Sequence, residues 1–128
     1  MRKNNLTGMI PSLWGFLFIG FAIVQLNDPD PLVWISIYSF AALICFYSGI
    51  KRIHSFILLL FTSLFASGCI YLWPSIYEGI VMPMEHSSNI ELARESLGLL
   101  ICAIAMMNLI FLNYIFMRRL KMAKKRVH

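Results

Sequence analysis

The sequence predicts an all-α integral membrane protein: a four-helix antiparallel bundle with both termini cytoplasmic. Three observations predict it. Of the 128 residues, 59% are hydrophobic and the mean hydropathy is +0.74, whereas soluble domains lie nearer ~45–50% apolar. The surplus is gathered into four runs of about 17 to 22 residues, the length that crosses ~30 Å of hydrocarbon at ~1.5 Å per residue. The basic residues fall at alternate breaks between these runs and at the two ends.

Taken in order, Arg2 and Lys3 precede a first run over residues 10–26. A basic start before an apolar stretch also describes a secretory leader. No small-residue cleavage pattern follows, and the run leads straight into a polar turn, so a retained helix is expected. The second run covers residues 32–50 and ends at Gly49, Lys51 and Arg52. The third covers 56–73 and is stopped by Pro74. An outer loop over 74–95 leads to the fourth run, 96–117, and then to a basic tail, 118–128. Two very short connections make antiparallel neighbours the default. Residues 1–128 thus form a single four-span domain with no internal repeat.

Orientation follows from counting. Arg2, Lys3, Lys51, Arg52, Arg118, Arg119, Lys121, Lys124, Lys125 and Arg126 fall on one side of the spans. The positive-inside rule makes that side cytoplasmic, in a plasma or inner membrane. The six acids, Asp28, Asp30, Glu78, Glu85, Glu91 and Glu95, fall on the other, with Arg94 as their basic company. The net charge of +5 therefore speaks of topology and of anionic headgroups at the tail, and nucleic acid is not an expected partner. Cys45, Cys69 and Cys102 stand singly in apolar surroundings, without metal-ligand spacing, and read as small packing residues.

The outer side carries the candidate site. Gln25-Leu26-Asn27-Asp28-Pro29-Asp30-Pro31 is a proline-stiffened polar turn between two apolar runs. Asp30-Pro31 reads as a helix N-cap and first helical position. Asp28 follows the C-terminal end of the first helix, where the dipole is already negative, so a nearby cation would relieve it. Either Arg94 or a bound metal ion could supply that charge. Ser88-Asn89-Ile90-Glu91 fits a capping box. From there Glu91, Glu95, Gly98, Cys102 and Ala105 share one helical stripe, small enough for close helix approach, with Arg94 within reach of Glu91. Trp34, Tyr38, Ala41, Cys45 and Ser48 on the second run, and Thr62, Ala66, Cys69 and Trp73 on the third, read as helix-contact stripes.

Two motifs, Gln25-x-Asn27-Asp28-Pro29-Asp30 with Trp34 after it and Glu91-x-x-Arg94-Glu95-x-x-Gly98-Leu99, resemble the transmembrane protein 220 family of small four-helix membrane proteins. Order, spacing and the number of spans agree over nearly the whole chain. In this chain Ile90 and Leu92 interrupt the acidic run that the family pattern carries before its Arg-Glu pair. The resemblance implies fold and topology and brings no activity.

The apolar runs hold no Lys, Arg, His, Asp or Glu near their centres, which speaks against a proton-coupled exporter, whose coupling carboxylate sits near the midplane. Haem is not expected either, since His54, His86 and His128 all lie outside the spans. No nucleotide motif and no nucleophile–base pair is evident, so an enzyme is the less favoured class. Oxygen ligands from Asp28, Glu91 and Glu95, with Asn27 and Gln25, would suit Ca²⁺, Mg²⁺ or Mn²⁺, and adding His86 would suit Zn²⁺. Met82 and Met84 offer thioethers for Cu(I), though methionine in an apolar loop is more often packing. The apolar stretch from Trp73 to Met84 belongs at the outer interface, with Tyr71, Trp73 and Tyr77 as an aromatic belt.

Two readings stay open at this point. In the first, Gln25, Asn27, Asp28, Asp30, Trp34, Glu91, Arg94 and Glu95 form a structural lock or a docking surface for a protein partner or a second copy. In the second, Asp28, Glu91, Arg94 and Glu95 build a binding or catalytic site for a divalent cation or a small polar ligand.

Overall fold

The computed structural model describes residues 5–27, 31–76 and 88–127, with side chains from residue 8 onward and, in the last stretch, from residue 90 onward. The regular structure among them is helical: α1 (Asn5–Val24), α2 (Pro31–Ile50), α3 (Ser55–Tyr71) and α4 (Ser88–Val127). A 3-10 turn, Gln25–Asn27, closes α1. Three helices are long and apolar enough to cross a membrane, over Gly8–Asn27, Pro31–Ile50 and Ile90–Val127. The fourth, α3, is apolar but has 17 residues, a length of about 25 Å at ~1.5 Å per residue.

The ends of the helices differ from the sequence expectation in instructive ways. α1 starts at Asn5, so Pro11 lies inside it. Pro11 has no N–H to give to the carbonyl of Thr7, yet its ring is fully buried. α2 starts at Pro31, where a fixed φ suits the first helical position. α3 stops at Tyr71, short of Trp73: Leu72 N–H still reaches the Gly68 carbonyl at 3.0 Å, but Trp73 N–H turns to Ile70 at 3.3 Å. The following Pro74 disfavours helical backbone at Trp73, which removes Trp73 from the α3 stripe and leaves it half exposed.

α4 opens at Ser88, where the capping box places it, and at the other end it runs on past the apolar run. Residues 88–95, read from sequence as the end of the outer loop, form its first two turns, with Glu91 in the first. The basic tail is helical through Val127 rather than a loose extension. Nothing in Arg118–Val127 breaks a helix, and three basic residues in the last turn favour the negative end of the dipole.

The chain forms two compact units, Met1–Ser55 with Asn108–His128, and Phe56–Met107. In the first, α1 and α2 make an antiparallel hairpin. Gly8 meets Gly49 at one end, Gly15 meets Phe46, and Phe18 and Phe21 meet Tyr38 further along. A Cβ on Gly49 would lie 3.2 Å from the Gly8 carbonyl oxygen and from Ser12 Oγ, and one on Gly15 would lie 2.8 Å from the Phe46 ring. Both glycines are there because the helices approach too closely for a side chain. The expected α2 stripe is the one that packs: Trp34, Tyr38, Ala41, Cys45 and Ser48 are all buried.

The second unit contains most of α3 and the first half of α4. Leu58, Thr62, Phe65 and Cys69 are the buried residues of α3, a row at helical spacing. On α4, Ile90, Ala93, Ser96, Leu99, Cys102, Ala103, Ala105 and Met106 are buried. Thr62 donates its hydroxyl to its own helix, to the Leu58 carbonyl at 2.8 Å, so a buried polar group on an apolar helix costs little. Outside these rows the helices expose large apolar side chains, among them Leu13, Phe16, Leu43, Leu64, Ile104 and Phe111. In water that would be a liability, and in a membrane it is the lipid-facing surface.

Candidate functional site

Asp28, Asp30 and His86, three of the residues expected at the outer site, lie outside the described residues, as do Tyr77, Met82 and Met84 of the adjoining loop. The others fall in separate units. Gln25 and Asn27 stand in the 3-10 turn that ends α1, Gln25 half-buried and Asn27 exposed. Glu91, Arg94 and Glu95 stand on the first two turns of α4 and are each half-buried. Glu95 has a hydrogen-bonding or electrostatic partner. Among the described residues no group of three His, Cys, Asp or Glu side chains converges as a metal site.

Trp34 is the site residue whose surroundings are most fully defined, and they are internal. It is buried on the second turn of α2 and its ring lies 6.1 Å from Tyr38. Tyr38 stacks at 6.4 Å on Phe18, and Phe18 at 6.0 Å on Trp14. Trp14 in turn donates its indole N–H to Asn108 Oδ1 at 3.1 Å. An aromatic column therefore runs from just beyond the polar turn down to an asparagine on α4. Each ring pair adds about 0.5–1.5 kcal/mol beyond its buried area. Trp34 anchors the start of α2 through this column.

The polar residues that hold helices together were not singled out by sequence. Ser96, fully buried, donates its hydroxyl to the Cys69 carbonyl at 2.7 Å and lies 3.2 Å from Cys69 Sγ. That carbonyl belongs to the last turn of α3, where backbone acceptors run out of helical donors. Asn113, also buried, donates Nδ2 to the Ile53 carbonyl at 2.7 Å and to Ser55 Oγ at 3.3 Å. It clamps the α2–α3 turn onto α4. No buried side-chain nitrogen or oxygen among the described residues lacks a partner. The signal that could have found these contacts was present, because Asn108 and Asn113 interrupt an apolar run in which an amide must find a partner.

At the basic end, the same turn carries Lys51 and Arg52. Arg52 Nη1 lies 2.6 Å from Met117 Sδ and its guanidinium sits over the Phe116 ring, 5.9 Å from the centroid. Lys51 is exposed and Arg52 half-buried, and the α4 surface from Lys121 onward is exposed.

The model of the family described as "Transmembrane family 220, helix" matches residues 17–111. This chain belongs to that family. Comparison with curated proteins gave no match, and comparison with solved structures gave none. In this family 220 member the matched stretch takes in both motifs, Gln25–Asp30 with Trp34 and Glu91–Leu99. Trp14, Asn113 and the basic tail lie beyond it.

Proposed function

We propose that this family 220 member is a multi-pass membrane protein without catalytic activity, whose outer polar residues lock its helix ends and present a docking surface to a protein partner. Both termini are cytoplasmic in this reading, in a plasma or inner membrane, and the acids Asp28, Asp30, Glu91 and Glu95 face outward. The observation that supports it is the Ser96 hydroxyl bond to the Cys69 carbonyl. It sits one residue after Glu95, so the helix turns bearing the candidate carboxylates are already fixed by a contact inside the protein. The internal column behind Trp34 supports the same reading at the other motif. In the lock, Arg94 balances Asp28 and a glutamate.

The experiment is thermal unfolding of the detergent-purified protein after chelation, alone and with Ca²⁺, Mg²⁺, Mn²⁺ or Zn²⁺, with Asp28→Asn beside the parent. A lock leaves every metal without effect, and the variant melts well below the parent because a charge has lost its partner. A saturable rise for one metal that Asp28→Asn abolishes replaces the lock with a cation site, since binding to the native state alone produces such a rise. The topology is tested separately by reporter fusions at residues 53, 80 and 128, which place 53 and 128 inside and 80 outside.

A further inference from the structure

We infer that the basic end of the protein carries a specific site for the phosphate of an anionic phospholipid, formed by Arg52 and Lys121 with Lys51 and Lys124 beside them. It rests on the apolar helices crossing a membrane and is independent of the outer lock.

Arg52 is the centre of the case. Asn113 clamps its turn to α4 through the Ile53 carbonyl, and the guanidinium is held between Met117 and Phe116. A guanidinium has five N–H donors and is always charged. Here its contacts are a thioether and a ring face, neither of which supplies negative charge. The sequence holds no Asp or Glu between residues 31 and 77 and none after Glu95. Among the described residues no carboxylate reaches Arg52, and its charge is left for an anion to complete.

The helical tail determines which lysines join it. At about 100° per residue, the row through Met117 continues to Lys121 and Lys124, one and two turns further on. The row through Phe116 continues to Leu120, Ala123 and Val127, which are apolar. Arg118 points about 100° away from Met117 and about 160° away from Phe116. Of the six basic residues in the tail, Lys121 and Lys124 are thus the pair on the side of Arg52. Had the tail been a loose chain, all six would have been equivalent.

The phosphate belongs to a lipid because of where the site falls. The apolar part of α4 ends at Met117, so Arg52 and Lys121 stand at the depth of the headgroups. Beside them Tyr114 and Met117 are exposed apolar side chains against which acyl chains can lie. Arginine grips a phosphate with two parallel N–H bonds, and lysine adds a point charge.

The test uses the full-length protein in a neutral detergent. Its thermal unfolding is titrated with dioctanoyl phosphatidylglycerol, with dioctanoyl phosphatidylcholine and with inorganic phosphate. The expected result is a saturable rise with the anionic lipid alone. Half-saturation weakens about fivefold in Lys121→Gln, in line with the worth of one basic residue near an anionic surface, and stays near the parent value in Arg118→Gln, which removes the same charge. Arg52→Lys, which keeps the charge and loses the fork, weakens binding as well, and it stands in for Arg52→Gln should that variant fail to fold. Equal losses in Lys121→Gln and Arg118→Gln would reduce the site to net charge and overturn it. So would an equal response to inorganic phosphate, which would point to a free anion, or no response to the anionic lipid.

Discussion

The two units of the molecule use the same pair of devices, a glycine that lets helices approach and a buried polar side chain on α4 that catches a backbone carbonyl. In the first unit these are Gly15 against Phe46 and Asn113 on Ile53 and Ser55. In the second they are Gly68 against Leu99 and Ser96 on Cys69. The difference is in stiffness. Three Phe46 ring atoms lie within 2.9 Å of where a Gly15 Cβ would stand, whereas Gly68 would meet a single Leu99 methyl at 2.9 Å. A ring moves as one body and a methyl can rotate away. Asn113 likewise donates to two oxygen acceptors, where Ser96 has one carbonyl acceptor and a weaker contact with the Cys69 thiol. The first unit should therefore tolerate change less well than the second.

Four substitutions test that ranking by thermal unfolding in one detergent. Gly15→Ala has the largest expected effect, a loss of about 2 kcal/mol, because the Phe46 ring must leave its place. Parent-like melting there would mean that the ring is held loosely. Asn113→Leu follows at about 1.5 kcal/mol, since it leaves the Ile53 carbonyl without its donor. Ser96→Ala should cost about 1 kcal/mol, within the range measured for hydrogen bonds between membrane helices. A larger loss for Ser96→Ala than for Asn113→Leu would reverse the ranking of the two clasps. Gly68→Ala comes last, below about 1 kcal/mol, as Leu99 can turn aside. Should Gly68→Ala prove as damaging as Gly15→Ala, the contrast in stiffness between the units is wrong.

Much of the fold was legible because a membrane imposes one rule on every span. Apolar run length located all four helices, and the spacing of Trp34, Tyr38, Ala41, Cys45 and Ser48 identified the packed face of α2 before any contact was known. That logic failed at Trp73, because helical spacing cannot be extended past a helix end, and Pro74 moved that end back to Tyr71. It also understated α4, since run length measures apolarity and is blind to a helix that continues with charged residues. The candidate site was less legible. Trp34 was identified, but whether it faced a ligand or an aromatic column depended on Phe18 and Trp14, far away in sequence. Ser96 and Asn113 looked like ordinary polar interruptions until their carbonyl acceptors at the edges of α3 were known. Polar residues in a span declare that a partner exists, and their sequence does not say which one.

The shortness of α3 has a consequence for the company this protein keeps. A helix of 17 residues spans about 25 Å, some 5 Å less than an average hydrocarbon core and closest to the thinner bilayers of a cell. Each ångström of mismatch costs a fraction of a kcal/mol. In the four-span reading the lipid around α3 would have to thin, or the exposed rings of Tyr71 and Trp73 would have to fill the missing depth at the headgroup level. Acyl-chain length would then be a variable to which this protein is tuned, and the same chain would sit at ease in one membrane and under compression in another.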